Sequence, residues 1–246
     1  MSGNDFQDSS RRNSKARSEF IFNFHGLGEP ERPLEPGEDK YWLSPERFET
    51  VLDHLMELDR TSCEVTITFD DGNASDLELA LPWLLARNLT ARFFVLAGRL
   101  DMPHFLSRSD VRSLSRAGMK IGTHGFSHVD WRFASDDVLE RELCEGRDEL
   151  AAVLGQHISE IAVPYGAYDR RVLQRLKRCG YGAVFTSDGG TASYTGWLRP
   201  RTCIRRDTEL SEIDEIVDRN VLMSALLPHA RRVKRYLYPA QRYPLS

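Results

Sequence analysis

The chain lacks the features that define several protein classes. It carries four cysteines in 246 residues. Cys63, Cys144, Cys179 and Cys203 are too scattered for a zinc ribbon or a Cys-x-x-Cys redox motif, and they read as reduced packing thiols. No apolar run approaches the roughly 20 residues of a membrane-spanning helix. Met1 to Ser18 is polar and mixed in charge, without the apolar core of a secretory signal. A cytoplasmic protein without an integral membrane segment is therefore expected. Positive charge is not in excess either: 33 Lys and Arg stand against 37 Asp and Glu, for a formal charge of -4. That balance argues against a chain built as a whole to grip nucleic acid, no motif for such binding stands out, and no internal repeat is visible.

What is present is an ordinary globular composition, with enough apolar residues for a sizeable core. Residues 1–18 read as a mobile lead-in, 19–228 as one α/β domain and 229–246 as a basic, aromatic tail. Phe20 to Phe24 is a strand that delivers His25, and a Pro-rich loop from Pro30 to Gly37 follows. Ser44-Pro45 opens a helix to about Asp59 that buries Phe48, Val51, Leu52 and Leu55. Further strands are expected at 64–69, 91–96, 119–123, 158–163 and 182–186, with a last short one at 201–204. Helices are expected near 74–87, 110–117, 135–154, 168–179 and 207–226. This alternation implies a parallel sheet with helical crossovers, either open or closed as a barrel. The polar residues of interest fall just after strands, where such folds collect their sites.

The stretch from Thr66 to Asn73 runs from a β-branched strand into adjacent carboxylates, Asp70 and Asp71, and then Gly72. Leu77, Leu81, Leu84 and Leu85 recur at helical spacing, which sets the acid pair on a strand-to-helix loop rather than in a hairpin, the other reading of Asp-Gly. Adjacent ionised carboxylates repel, and a metal cation or a shared proton relieves that repulsion. His124 and His128 are four apart, so one helical turn would aim both imidazoles at a single ion. With Asp71 they make a set that suits zinc or another divalent first-row metal, leaving Asp70 as a base.

Thr68-Phe69-Asp70-Asp71-Gly72 and His124-Gly-Phe-Ser-His128 resemble the first two motifs of the polysaccharide deacetylase family, also called NodB-homology or carbohydrate esterase family four enzymes. Val163-Pro164-Tyr165-Gly166 resembles the third, and together they cover roughly residues 20 to 205. The resemblance implies a distorted (β/α) barrel of about seven strand-helix units. It also implies metal-dependent removal of N-acetyl or O-acetyl groups from sugars. Carried over, Asp71, His124 and His128 are the metal ligands, with zinc first and cobalt, nickel or iron as other choices. Asp70 is the general base, and the backbone N–H of Tyr165, between Pro164 and Gly166, holds the oxyanion. For the general acid the choice lies between His25 and His229, and Phe22-Asn23-Phe24-His25 resembles the strand-histidine motif of the permuted branch that includes poly-N-acetylglucosamine deacetylases. The chain departs from the family at Ala162, where an arginine usually touches the base. Arg201, or failing that Arg199, is expected to replace it. The fourth motif is also absent in its usual form, with Asp188 and Trp197 as a loose substitute.

Tyr165, Tyr168, Trp131 and Trp197 lie in or near these loops, either to stack on sugar rings or to pack in the core. Arg231-Arg232-Val233-Lys234-Arg235 reads first as a solvated face and second as a contact for an anionic lipid surface or a polyphosphate-linked carrier. The expectation is a metal-dependent deacetylase of an N-acetylated carbohydrate in exopolysaccharide biosynthesis. A hydrolase of small non-sugar amides and an inactive glycan- or metal-binding homologue are the alternatives.

Overall fold

The computed structural model describes residues 19–61, 63–193 and 196–226, with side chains through residue 219 apart from those of 60 and 61. The expected lead-in at 1–18, the tail at 229–246, His229 and the basic run 231–235 lie outside the described residues. Six strands run in sequence order, each paired in parallel with the next: β1 (Glu19–Phe24), β2 (Glu64–Phe69), β3 (Ala91–Val95), β4 (Lys120–Thr123), β5 (Glu160–Ala162) and β6 (Ala183–Thr186). The crossover helices are α1 (Pro45–Thr61), α2 (Leu81–Ala86), α3 (Arg108–Arg116), α4 (Asp136–Glu140), α5 (Gly146–Leu154) and α6 (Arg170–Arg178). Side-chain caps start several of them: Ser107 and Asp110 form a capping box on α3, Ser135 caps α4, and Asp169 caps α6.

The sheet is closed by a short piece of chain. After β7 (Thr191–Ala192), which pairs antiparallel with β1, β8 (Leu198–Pro200) pairs with β6 and β9 (Thr202–Cys203) pairs with β1. Only Arg201 separates β8 from β9, so the chain steps from one edge of the sheet to the other across this residue. The result is a nearly closed, mostly parallel (β/α) barrel, as the family resemblance implies. The last helix among the described residues, α7, spans Leu210–Leu226. The single strand expected at 201–204 is thus two short strands on either side of Arg201. The helix expected from 135 to 154 is interrupted by a π-helical turn, Arg141–Glu145, and a similar turn, Asp76–Ala80, precedes α2. No helix among the described residues is long and apolar enough to cross a membrane.

The two-residue period of the strands sorts side chains between the helices and the barrel interior. Phe20, Phe22 and Phe24 of β1 join Ile67 and Phe69 of β2 in the main core under the helices. Phe69 stacks on Phe93 at 4.8 Å between ring centroids and on Phe24 at 5.5 Å. The alternate residues face inward, where Ile21, Phe94, Ala162, Ala183 and Phe185 make a small apolar plug. Gly122 makes room for it, because a Cβ there would meet the Phe94 ring at 2.5 Å. Above this plug the inward positions become polar, starting with Asn23, Thr68 and Asp70, all buried.

Phe69→Ala removes a fully buried ring with three aromatic neighbours and is expected to cost about 3–5 kcal/mol in urea unfolding. Leu85→Ala, at a position 49% exposed, is the control and should stay within about 0.5 kcal/mol of the parent. Equal effects would contradict the division of the chain into core and surface.

Candidate active site

Asp70 and Asp71 follow β2, His124 follows β4, and the Val163–Gly166 turn follows β5, so all reach the C-terminal mouth of the barrel. Asp70 is 3% exposed, and Arg201 is fully buried beside it. Arg201 grips the carboxylate with two parallel bonds, Nη1 to Oδ1 and Nη2 to Oδ2, each 2.7 Å. Asn23 donates to Oδ2 at 3.0 Å, while its own carbonyl oxygen accepts from Arg201 at 2.8 Å and from the Thr68 hydroxyl at 2.7 Å. Burial alone would raise the pKa of Asp70, but the charge and hydrogen bonds of Arg201 outweigh burial and hold the acid well below the usual carboxylate range. Arg199 lies elsewhere, over the Phe185 ring. Ala162, where the family arginine would stand, is packed in the apolar plug.

Asp71 turns the other way from the same strand end, with a left-handed backbone at φ 76°, and Gly72 continues the turn at φ 72°. Its Oδ1 lies 3.5 Å from His124 Nε2 and 3.6 Å from His128 Nε2, and it is buried without a hydrogen-bond partner. Both imidazoles are committed through their other nitrogen. His124 Nδ1–H donates to the carbonyl of Ala162 at 3.0 Å, and His128 Nδ1–H donates to the Glu35 carboxylate at 3.0 Å. Burial lowers the pKa of His124 to about 4 despite the nearby Asp70 and Asp71, so its Nε2 presents a lone pair. Burial opposes charge on His128 too, but Asp71 and Glu35 outweigh it and raise its pKa. Two imidazole nitrogens thus face an orphaned carboxylate oxygen at a point that attracts positive charge. The donor set Asp71, His124 and His128, with its ligand atoms all within 4.8 Å, fits a divalent metal ion.

The His pair reaches this arrangement without the helical turn expected from its spacing. Residues 124–128 are a loop, with Gly125 at φ 94° and His128 at φ 59°. Glu142 holds it from below, accepting from the backbone N–H groups of Phe126 and Ser127 at 2.9 Å each. A glycine that breaks helical geometry is what lets a four-residue spacing converge from a loop.

Tyr165 also sits in a left-handed conformation, φ 57°, between buried Pro164 and Gly166. Its hydroxyl donates to Glu35 at 2.8 Å and to the carbonyl of His128 at 3.1 Å, and its ring lies 4.3 Å from the His128 ring. Glu35 therefore ties the Pro-rich loop to two site residues, and Arg99 pairs with its other oxygen. Burial would raise the Glu35 pKa, but its bonds to His128, Arg99 and Tyr165 hold it well below the usual range. His25 follows β1 beside the acid pair, since Asp70 N–H donates to the carbonyl of Phe24 at 3.0 Å. The His25 ring rests on Tyr41 at 4.7 Å, and its Nδ1 is buried without a partner.

Trp197 is not brought to this site. Its indole N–H donates to the carbonyl of Tyr181 at 2.8 Å, and its ring belongs to the cluster around α6, so the expected substrate contact is corrected to a packing role. Trp131 is likewise fully buried in that cluster. Tyr168 instead donates to Asp188 at 2.5 Å. Sequence reasoning missed Asn23, Glu35, Glu142 and also Asp76, whose buried carboxyl has no partner. Burial, then the charges of Asp71 and Asp70, push the Asp76 pKa well above the usual range.

The family model for polysaccharide deacetylases matches residues 58–184, just over half of the chain, and takes in both acids, both histidines and the Tyr165 turn. The chain belongs to the polysaccharide deacetylase family. It is 23% identical over 158 residues to YxkH of Bacillus subtilis, whose own assignment to these deacetylases is provisional; the match covers 62% of this chain and 57% of YxkH. The chain spans about half the length of the curated relatives it matches. Among solved structures, the Streptococcus pyogenes deacetylase PplD in complex with acetate superposes with a TM-score of 0.68 at 22% identity, covering 82% of this chain and 99% of PplD. A de-N-acetylase from Aggregatibacter actinomycetemcomitans gives 0.69 at 16% identity, covering 81% and 99%. Likeness at such identities establishes the shared barrel.

Arg201→Met would leave the Asp70 charge buried without its partner and is expected to lower stability by about 3–5 kcal/mol at neutral pH. Asp70→Asn in that background should recover much of the loss, and simple additivity in the double variant would contradict the coupling. Because the folded pKa of Asp70 is depressed, its contribution is present above the unfolded value of about 3.9 and is lost as pH falls towards the folded value. Urea unfolding between neutral and acid pH should show that acid limb in the parent and not in Arg201→Met.

Proposed function

We propose that this chain is a metal-dependent hydrolase that removes N-acetyl groups from a carbohydrate of the exopolysaccharide type. One observation carries the reading: an arginine-held carboxylate stands directly beside a buried three-ligand donor set at the open end of the barrel. A zinc-class ion held by Asp71, His124 and His128 would polarise the acyl carbonyl and lower the pKa of a water to about 7.

The remaining steps belong to the protein. Asp70 enters the reaction ionised and its carboxylate, whose Oδ2 lies 3.8 Å from His124 Nε2, accepts the water proton. Arg201 and Asn23 fix the plane of that carboxylate beside the donor set. The backbone N–H of Tyr165, in its left-handed turn, is assigned to the oxygen that gains charge as water adds to the acetyl carbon. His25 is assigned as the acid that protonates the departing amine. It comes from the strand beside Asp70, whereas His229 is remote from the motifs in sequence. Glu35 fixes the His128 tautomer, leaving Nε2 as its ligand atom. The fold shared with the de-N-acetylase of Aggregatibacter actinomycetemcomitans supports the choice of an amide substrate.

The deciding experiment is acetate release from an N-acetylglucosamine oligomer by metal-stripped protein, with zinc, cobalt or nickel added back. Release should require metal. Asp70→Asn should lower kcat by roughly 10²–10⁴-fold, and His25→Ala should lower kcat more than it changes KM. Absence of release with every metal would overturn the substrate assignment and favour a small non-sugar amide or a binding role.

A further inference from the structure

Two of the four cysteines meet although 35 residues separate them. Cys144 Sγ and Cys179 Sγ are 3.4 Å apart, and a carboxylate oxygen of Glu140 completes a group whose atoms lie within 4.8 Å of one another. Three elements bring them there. Glu140 is the last residue of α4, Cys144 lies in the π-helical turn Arg141–Glu145, and Cys179 ends α6, where Arg147 binds its carbonyl at 2.6 Å. None forms part of the site described above.

We propose that Glu140, Cys144 and Cys179 form a second metal site, for a thiophilic divalent ion of the zinc class, with the remaining position left to water. Two thiolates on one tetrahedral zinc, each bonded at about 2.3 Å, stand about 3.8 Å apart, whereas a disulfide needs about 2.05 Å. At 3.4 Å the two thiols are in hydrogen-bonding contact and unbonded, and a shift of a few tenths of an ångström would reach the first value. The surroundings also disfavour a reactive thiol. Burial, then Cys179 and Glu140, push the Cys144 thiol up to about 12, so neither exchange chemistry nor nucleophilic attack is helped at neutral pH. A divalent ion reverses this, since it displaces the thiol protons. The balance is simple: the ion enters, two S–H protons leave to solvent, and two metal–sulfur bonds and one metal–oxygen bond form. The net charge of the cluster is -1 before and -1 after, so the contact of Glu140 with Arg175 at 3.7 Å meets no new field.

The π-helical turn gives the site a structural purpose. On its inner side Glu142 holds the backbone of Phe126 and Ser127, between the two histidines. On its outer side Cys144 faces Cys179. An ion at the cysteines would pin the turn that supports the histidine loop to the end of α6. A π turn inside a helix is a common mark of such local demands.

The test is a cobalt(II) titration of the reduced, metal-stripped full chain under argon. A near-ultraviolet sulfur-to-cobalt charge-transfer band should appear, and zinc should bleach it. Cys179→Ser should abolish the band. Glu140→Gln, which changes an exposed side chain and leaves the core intact, should keep the band but weaken cobalt affinity roughly tenfold. His128→Ala should leave the band unchanged. The band reports sulfur alone, so failure of the histidine site to load would not affect it. Absence of the band in reduced parent protein would overturn the proposal, as would its survival in Cys179→Ser. Isolation of the chain two hydrogens lighter, with Cys144 joined to Cys179 and no cobalt uptake after reduction, would replace it with a disulfide.

Discussion

Carboxylates buried or half-buried at the barrel mouth need a cation, hydrogen-bond donors or a proton, and most of the structure around the site follows from how this is done. Asp70 receives a guanidinium, Glu35 an imidazole N–H and a second guanidinium, and at Asp76 burial and the neighbouring acids favour the protonated form. Asp71 faces two imidazoles, His124 with a free lone pair and His128 with a pKa that Asp71 and Glu35 raise. The two acids are neighbours in sequence yet stand in different environments, and the roles proposed for them, ligand for Asp71 and base for Asp70, rest on that difference.

The same constraint explains why the inward face of the barrel changes character along its axis. Low down, Ile21, Phe94 and Phe185 exclude water; above them Asn23, Thr68 and Asp70 share hydrogen bonds with Arg201. A buried ion pair needs such secondary bonds if it is to offset its desolvation. Three site residues, Asp71, His128 and Tyr165, hold left-handed backbones at non-glycine positions. Strain of this sort persists where surrounding contacts impose it, and here the Glu35 clamp and the Glu142 cradle supply those contacts.

Much of the fold was legible in the sequence because buried strands and amphipathic helices carry their own periods. Phe48, Val51, Leu52 and Leu55 lie on the inner face of α1, and every strand from β1 to β6 overlaps a stretch expected to be a strand. Loop geometry was less legible. The spacing of His124 and His128 suggested a helical turn, while Gly125 at φ 94° makes a loop that achieves the same convergence. Partners far apart in sequence carry no local period, so Glu35 beneath His128 and Cys144 beside Cys179 left no signal. Trp197 misled for the complementary reason: it lies next to a site strand, yet its side chain points to the helix layer.

The seam at Arg201 also bears on how the chain is made. The histidine loop and Asp71 lie within a run that ends by His128, but Asp70 gains its counter-charge only when a residue 131 positions later arrives. During synthesis the first four strands and their helices emerge before that arginine does, so the carboxylate must stay hydrated until the seam is laid down. Closure of the barrel between β8 and β9 therefore waits for a segment synthesised after β1 to β6, and the ion pair at Asp70 waits with it.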